Sequence, residues 1–219
     1  MRLILAINPG STSTKIAVFD GRDPVFTEDI PHSASDLASF RRVAEQYSLR
    51  RDAVISCLKA HGIDVTSLVA VVGRGGMLRP VPAGTFRIDA KMLEELRTPG
   101  PREHVSNLGA IIAHDIASQA GIPAFIVDPV SVDEFEPLAR ISGLPEIERR
   151  SLSHALNLKA TARRAAADLG RPYPSLNLVV VHMGGGISVS AHRRGRMIDV
   201  NQALDGTGPF SPERAGGLP

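Results

Sequence analysis

LILAINPGSTSTKIAVFD, residues 3–20, sets two apolar runs on either side of a turn that holds a glycine, four hydroxyl residues and a lysine. A two-residue glycine turn is enough to reverse a strand, so this turn is longer and more polar than chain reversal requires. The flanking runs read as strands over 3–7 and 15–20, with a third over 24–30 after Asp20-Gly21-Arg22-Asp23. The same layout returns in NLVVVHMGGGISVSAHRRGRMIDVNQAL, residues 177–204. LILAIN aligns with LVVVHM at an offset of 175 residues, which sets Gly10 opposite Gly185 and the Gly21 turn near the Gly195 turn. Two openings of one kind imply two similar domains.

Helical periodicity fills residues 36–48 and 50–62, the second stopping at Gly62. SLVAVVGRGG is too short for a helix, ends in glycines and suits a buried strand. A helix over 89–97 runs up to Pro99-Gly100-Pro101, and another over 106–121 has Ser106 as N-cap and Gly121 as C-cap. IPAFIVDP reads as one more buried strand, and SLSHALNLKATARRAAADLG as a single long helix closed by Gly170. Strands alternating with helices after a meander define a mixed α/β chain. Its expected division is a domain over 1–150, then a connecting helix and the first strands of a second over 151–219.

Composition narrows the function. The chain has 219 residues, 43% of them hydrophobic, which suffices for a core and part of a second. A net charge of +2, with basic pairs such as Arg41-Arg42, Arg50-Arg51 and Arg163-Arg164 scattered among carboxylates, reads as solvated helix faces and argues against nucleic acid. Aromatic content of 4% disfavours base stacking. Cys57 is alone, so the chain has no internal disulfide framework and the thiol reads as a core residue. No apolar run approaches the ~20 residues of a membrane span. With no signal-like segment after Met1-Arg2, a reducing cytoplasm is expected.

Paired glycine turns opening paired domains suit an anion held by successive backbone N–H groups, which glycine lets a phosphate approach closely. Ser11, Thr12, Ser13 and Thr14 could donate to phosphate oxygens and Lys15 adds charge; equally, the hydroxyls could satisfy their own backbone in a polar hairpin. A Walker-type G-x-x-x-x-G-K-[ST] is absent. Arg74, in a glycine turn after a strand, has the fork that matches a carboxylate. Asp128 stands at the carboxyl end of FIVD, where α/β sheets bind ligands and where Asp-Pro also starts turns. His154 is read on a helix among apolar neighbours, which suits a core histidine as well as a catalytic one.

AINPGSTSTKIAVFD, VGRGG, FIVDPVSVDE, RRSLSHALNLKA, VVHMGGGISV and IDVNQALDGTGPFSPERAGGLP, taken in this order, resemble the acetate and butyrate kinase family, the last two its butyrate branch. The resemblance implies the actin-like (ASKHA) ATPase fold, ribonuclease-H-like and duplicated, with the second copy incomplete here. It implies reversible phosphorylation of butyrate or a branched short-chain acid by ATP to give acyl phosphate and ADP, with Mg²⁺, in a homodimer. Carried over by motif, Asn8, Gly10, Ser11, Ser13 and Lys15 form a first phosphate loop, and His182 with Gly184, Gly185 and Gly186 a second. Where acetate kinases carry Asn, this chain has Gly185, so only the backbone nest carries over there. Arg74 becomes the carboxylate-binding arginine, Asp128 the catalytic carboxylate that positions Mg²⁺, directly or through water, with Asn8 as a further metal contact, and His154 and Arg214 the groups on the transferring phosphoryl. The family's adenosine segment and late metal carboxylate have no counterpart in these residues. The alternative expectation is therefore an inactive N-terminal portion that binds phosphate or a partner chain at most.

Overall fold

The computed structural model describes residues 2–98, 103–204 and 208–217. Residues 1–78 with 85–127 form one compact unit, and 79–84 with 128–219 a second. Residues 128–150, grouped with the first domain on sequence grounds, contribute Val132, Phe135 and Ala139 to the core of the second unit.

The first unit is built on β1 (Leu3–Pro9), β2 (Ser13–Asp20) and β3 (Asp23–Pro31). Period-two alternation buries Leu3, Leu5 and Ile7 of β1 together with Ile16 and Val18 of β2. β4 (Leu68–Arg74) joins β1 in parallel, β6 (Ala124–Val127) joins β4 in parallel, and β5 (Thr85–Arg87) closes the edge antiparallel to β6. Among the described residues the sheet order is β3-β2-β1-β4-β6-β5.

Among the described residues four α-helices accompany it: α1 (Ala34–Ala38), α2 (Tyr47–Ala60), α3 (Ala90–Arg97) and α4 (Asn107–Ala120). α4 lies tight on β4 because Gly73 and Gly109 meet without side chains; a Cβ on Gly73 would fall 2.2 Å from the Gly109 carbonyl oxygen. Gly121 ends α4 in the left-handed conformation, as expected of a C-terminal glycine.

Three local expectations are corrected. Residues 36–48 are not one helix: Ser39 closes α1 by donating its hydroxyl to Asp36 O, and the Glu45 carboxylate takes the N–H groups of Arg41 and Arg42 to start a separate 3-10 turn over Val43–Gln46. Ser106 holds the N-cap position of α4 as expected, but in helical backbone with its hydroxyl bonded to His104 Nδ1, so the side-chain capping bond is absent. Arg50 is no solvated cation. Buried on α2, it donates to Ser11 O, Ser13 O and Thr14 Oγ1, pinning the β1–β2 turn from beneath. The Pro99-Gly100-Pro101 stop lies outside the described residues.

In the second unit α5 (Ala155–Asp168) packs on a meander of β7 (Asn177–Met183), β8 (Ile187–Arg193) and β9 (Arg196–Val200). The expected helix over 151–170 starts later than its periodicity suggests. Residues 151–153 run alongside 130–132 instead, with Ser153 N donating to Val130 O and Ser151 Oγ to Val132 O. This competing pairing puts His154 at the N-cap of α5 rather than within it. Below the meander Lys159 is buried against Glu134 at 2.6 Å. Beside them His192 is bonded to Tyr173 and Ser190. No helix among the described residues is long and apolar enough to cross a membrane.

Candidate functional site

The sequence-expected residues form two groups, one in each unit. In the first unit, Asn8 and Lys15 are register partners across β1 and β2 and therefore share a face. Arg74, at the end of β4, donates to Asn8 Oδ1 at 3.3 Å. Lys15 pairs with Asp29 at 3.2 Å, and both side chains are more than half exposed. The Ser13 hydroxyl is turned to the same Asp29, whose carboxyl is held below its ordinary value chiefly by that bond.

The β1–β2 turn uses part of its own donor capacity. Gly10 N–H donates to Ser13 O at 2.8 Å. Thr14 points inward to His32 Nε2 at 2.8 Å and accepts from Arg50. Of the four hydroxyl residues Thr14 is thus structural, while Ser11 and Thr12 are exposed. Asn8, Ser11, Thr12 and Lys15 are exposed around the turn, with the half-buried Arg74 beside Asn8.

In the second unit, His154, His182, Gly184, Gly185, Gly186 and Arg214 converge. The His154 and His182 rings stack at 3.9 Å with 13° between planes. His154 Nδ1 bonds Ser188 Oγ at 2.8 Å and His182 Nδ1 bonds Asn157 Oδ1 at 3.0 Å, which fixes both ring orientations. The glycine turn between β7 and β8 carries the 211–214 turn on its outer side: Ser211 Oγ and Glu213 N both donate to Gly185 O, at 2.7 and 3.1 Å. That docking lays the Arg214 guanidinium over Gly186. A side-chain carbon at Gly186 would stand 2.2 Å from Arg214 Nη1 and 3.1 Å from His154 Cε1, so a guanidinium and an imidazole meet where the backbone has no side chain. Glu213 brings a carboxylate beside Gly185 on the exposed side.

Asp128 is placed differently from the other expected residues. It is buried, with a left-handed backbone (φ 38°) that Asp tolerates better than most residues. Its Oδ1 accepts from Gly84 N–H at 2.8 Å and its Oδ2 from Arg163 Nη1 at 3.0 Å. Both oxygens are therefore committed to the fold of the second unit. Asn8 Oδ1 likewise accepts from Arg74. Among the described residues no three His, Cys, Asp or Glu side chains gather in a metal-binding group. As arranged, neither Asp128 nor Asn8 fits a direct Mg²⁺ ligand.

Ser188, Asn157, Ser211 and Arg163 were missed by sequence reasoning. Asn157 alone left a signal, three residues beyond His154 at helical spacing; the other three act across long separations.

The meander-led sheet with parallel additions and the glycine-turn site define the class, an actin-like α/β fold. No protein-family model matches the chain. Within that class it shares its fold with short-chain carboxylate kinases of known structure. Acetate kinase from Porphyromonas gingivalis matches with a TM-score of 0.73 at 16% identity, covering 100% of this chain and 62% of that one. A propionate kinase from Francisella tularensis subsp. tularensis SCHU S4 gives 0.70 at 18% identity over 100% and 62%. Acetate kinase from Entamoeba histolytica gives 0.70 at 15% identity over 99% and 59%. The chain thus spans about three fifths of the length of these structures.

Proposed function

We propose that this chain carries the acyl- and phosphoryl-handling groups of a short-chain carboxylate kinase, which transfers the terminal phosphoryl of ATP reversibly to butyrate or a branched relative. The observation that carries the reading is the convergence of Arg214, His154 and His182 over the glycine turn at Gly186. Phosphoryl transfer asks a protein mainly for positioning and for charge complementary to the equatorial oxygens. Arg214 supplies a permanent fork and His154 a donor oriented by Ser188. His182 and the Gly184–Gly186 backbone line the same place, and Arg74 beside Asn8 takes the acceptor carboxylate. Ser11, Ser13 and Lys15, with the Gly10 turn, complete the phosphate contacts of the first unit. Mg²⁺, when bound with the nucleotide phosphates, would neutralise their charge. The lone Cys57 suits the reducing cytoplasm proposed as its setting. The match to only about three fifths of each relative favours a second reading, in which these residues by themselves bind phosphate without turnover.

The test is hydroxylamine trapping of acyl phosphate by the protein that carries this chain, with ATP and equal concentrations of acetate, propionate, butyrate and isobutyrate. The reading expects the highest kcat/KM with butyrate or isobutyrate, and Arg74→Lys should raise KM for the acid. A folded sample that binds phosphate but phosphorylates none of the acids would leave the second reading standing.

A further inference from the structure

Arg50 is fully buried, yet every acceptor it meets is neutral. Its Nε and Nη2 donate to Gln46 Oε1, Nη1 donates to Ser13 O and Thr14 Oγ1, and Nη2 donates also to Ser11 O. Among the described residues no carboxylate pairs with it, and burial holds its pKa below the ordinary value. The other buried cation, Lys159, meets Glu134 at 2.6 Å. A buried charge is costly unless it is paired. The bonds of Arg50 satisfy its donors and leave its charge unanswered.

The same bonds orient the turn above it. Arg50 takes Ser11 O at 3.3 Å and Ser13 O at 3.0 Å, His32 N–H takes Thr12 O at 2.9 Å, and Gly10 N–H shares Ser13 O at 2.8 Å. Three consecutive carbonyls are thus drawn to the protein side. No peptide bond among the described residues is cis, and in a trans peptide the N–H points away from the carbonyl of the same plane. The N–H groups of Thr12 and Ser13 therefore face outward, and that of Thr12 finds no acceptor among the described residues. Successive outward N–H groups make a concave anion site. We infer that Arg50 is a positioning residue for a phosphoryl group bound at the Thr12 and Ser13 N–H groups, holding the turn in its donor-outward form while the ligand supplies the negative charge that the protein leaves out. The inference rests on the phosphate contacts proposed for the first unit and adds to them a residue that does not itself touch the ligand.

The test follows the Thr12 and Ser13 amide resonances during titration with pyrophosphate, with thermal melts at each concentration, for the wild type, Arg50→Met, Arg50→Lys and Arg51→Met. In the wild type both amides should shift and saturate, and pyrophosphate should raise the melting temperature. Arg50→Met should bind at least about tenfold more weakly, because it removes both the charge and the donors. It should also lose most of the ligand-induced rise in melting temperature, which a purely structural role would leave in place. Arg50→Lys keeps the charge without the fork and should lie between the two. Arg51→Met, whose side chain pairs with Asp52 and Asp115 instead, should bind as the wild type does. Silent Thr12 and Ser13 amides in the wild type, unchanged affinity in Arg50→Met, or an Arg50→Lys that binds as tightly as the wild type or no better than Arg50→Met would each overturn the inference. The wild-type amides and Arg50→Lys decide it even where Arg50→Met does not fold. Acyl-phosphate trapping on the same samples separates the two readings: turnover with silent amides refutes this inference alone, and responding amides without turnover uphold it and refute the proposed reaction alone.

Discussion

Replacing Gly186 by alanine should damage phosphoryl handling and leave the fold almost untouched. The new methyl would stand 2.2 Å from Arg214 Nη1 and 3.0 Å from its Cζ, whereas ordinary contact begins near 3.4 Å. The guanidinium must therefore withdraw by about 1.2 Å, and a hydrogen bond tolerates only about 0.5 Å of such drift. Arg214 sits at the end of a flexible side chain, so the strain is relieved by moving that end. Gly186 does not use a left-handed backbone, so alanine adds no torsional penalty there. Loss of one charged contact to a transferring phosphoryl costs about 3 kcal/mol, roughly 100-fold in kcat/KM. Stability should change by less than about 1 kcal/mol. Gly10→Ala is the comparator: its methyl meets nothing closer than 3.4 Å, so its loss should be much smaller. The assay pairs acyl-phosphate kinetics with thermal melts on the same preparations. Gly186→Ala with unchanged kinetics, or with kinetics lost only in step with unfolding, would refute the argument.

Two further outcomes follow from buried ionisable groups. Asp128→Asn should lower stability by about 1–3 kcal/mol, because it replaces a buried acceptor of Arg163 with an amide that cannot pair as a charge; an unchanged melting temperature would mean that the ion pair is not structural. Burial, with the Lys159 ammonium nearby, pushes the His192 imidazole down to about 4, whereas the unfolded chain titrates it near ~6.5. Between those values only the unfolded chain takes up the proton, so stability should fall from pH ~6.5 to ~4 by up to about 1.4 kcal/mol per unit. Chemical denaturation at several pH values should show this slope, and His192→Phe should flatten it.

The fold could be read where the signal was local. Period-two alternation in LILAI and IAVFD marked β1 and β2, and the glycine at position 121 marked the end of α4. The repeat near residue 177 marked the second meander. The reading failed where a distant partner decided. The helical periodicity of 151–170 could not reveal that residues 151–153 pair with 130–132, and this pairing is what turns His154 into an N-cap. The Arg50-Arg51 pair looks solvated because the acceptors that draw Arg50 inward, Ser11 O, Ser13 O and Thr14 Oγ1, lie more than 35 residues away. For the site, the glycine turn and His182 were legible as a motif. The meeting of Arg214 with Gly186 was not, because it depends on Ser211 and Glu213 docking onto Gly185. Asp128 reads as an Mg²⁺-positioning carboxylate or a turn initiator, and the sequence held no sign that Arg163 and Gly84 would each donate to one of its oxygens.

The most direct test of the account is whether the second-unit cluster binds a phosphoryl group. Imidazole NMR resonances of His154 and His182 should be followed during titration with butyryl phosphate, in the wild type and in Arg214→Lys. The account predicts that both rings shift together and saturate, while the buried His192 stays still, and that Arg214→Lys weakens the response at least about tenfold because an ammonium cannot reproduce the fork. Resonances of His154 and His182 that do not move, or that move equally in Arg214→Lys, would contradict it.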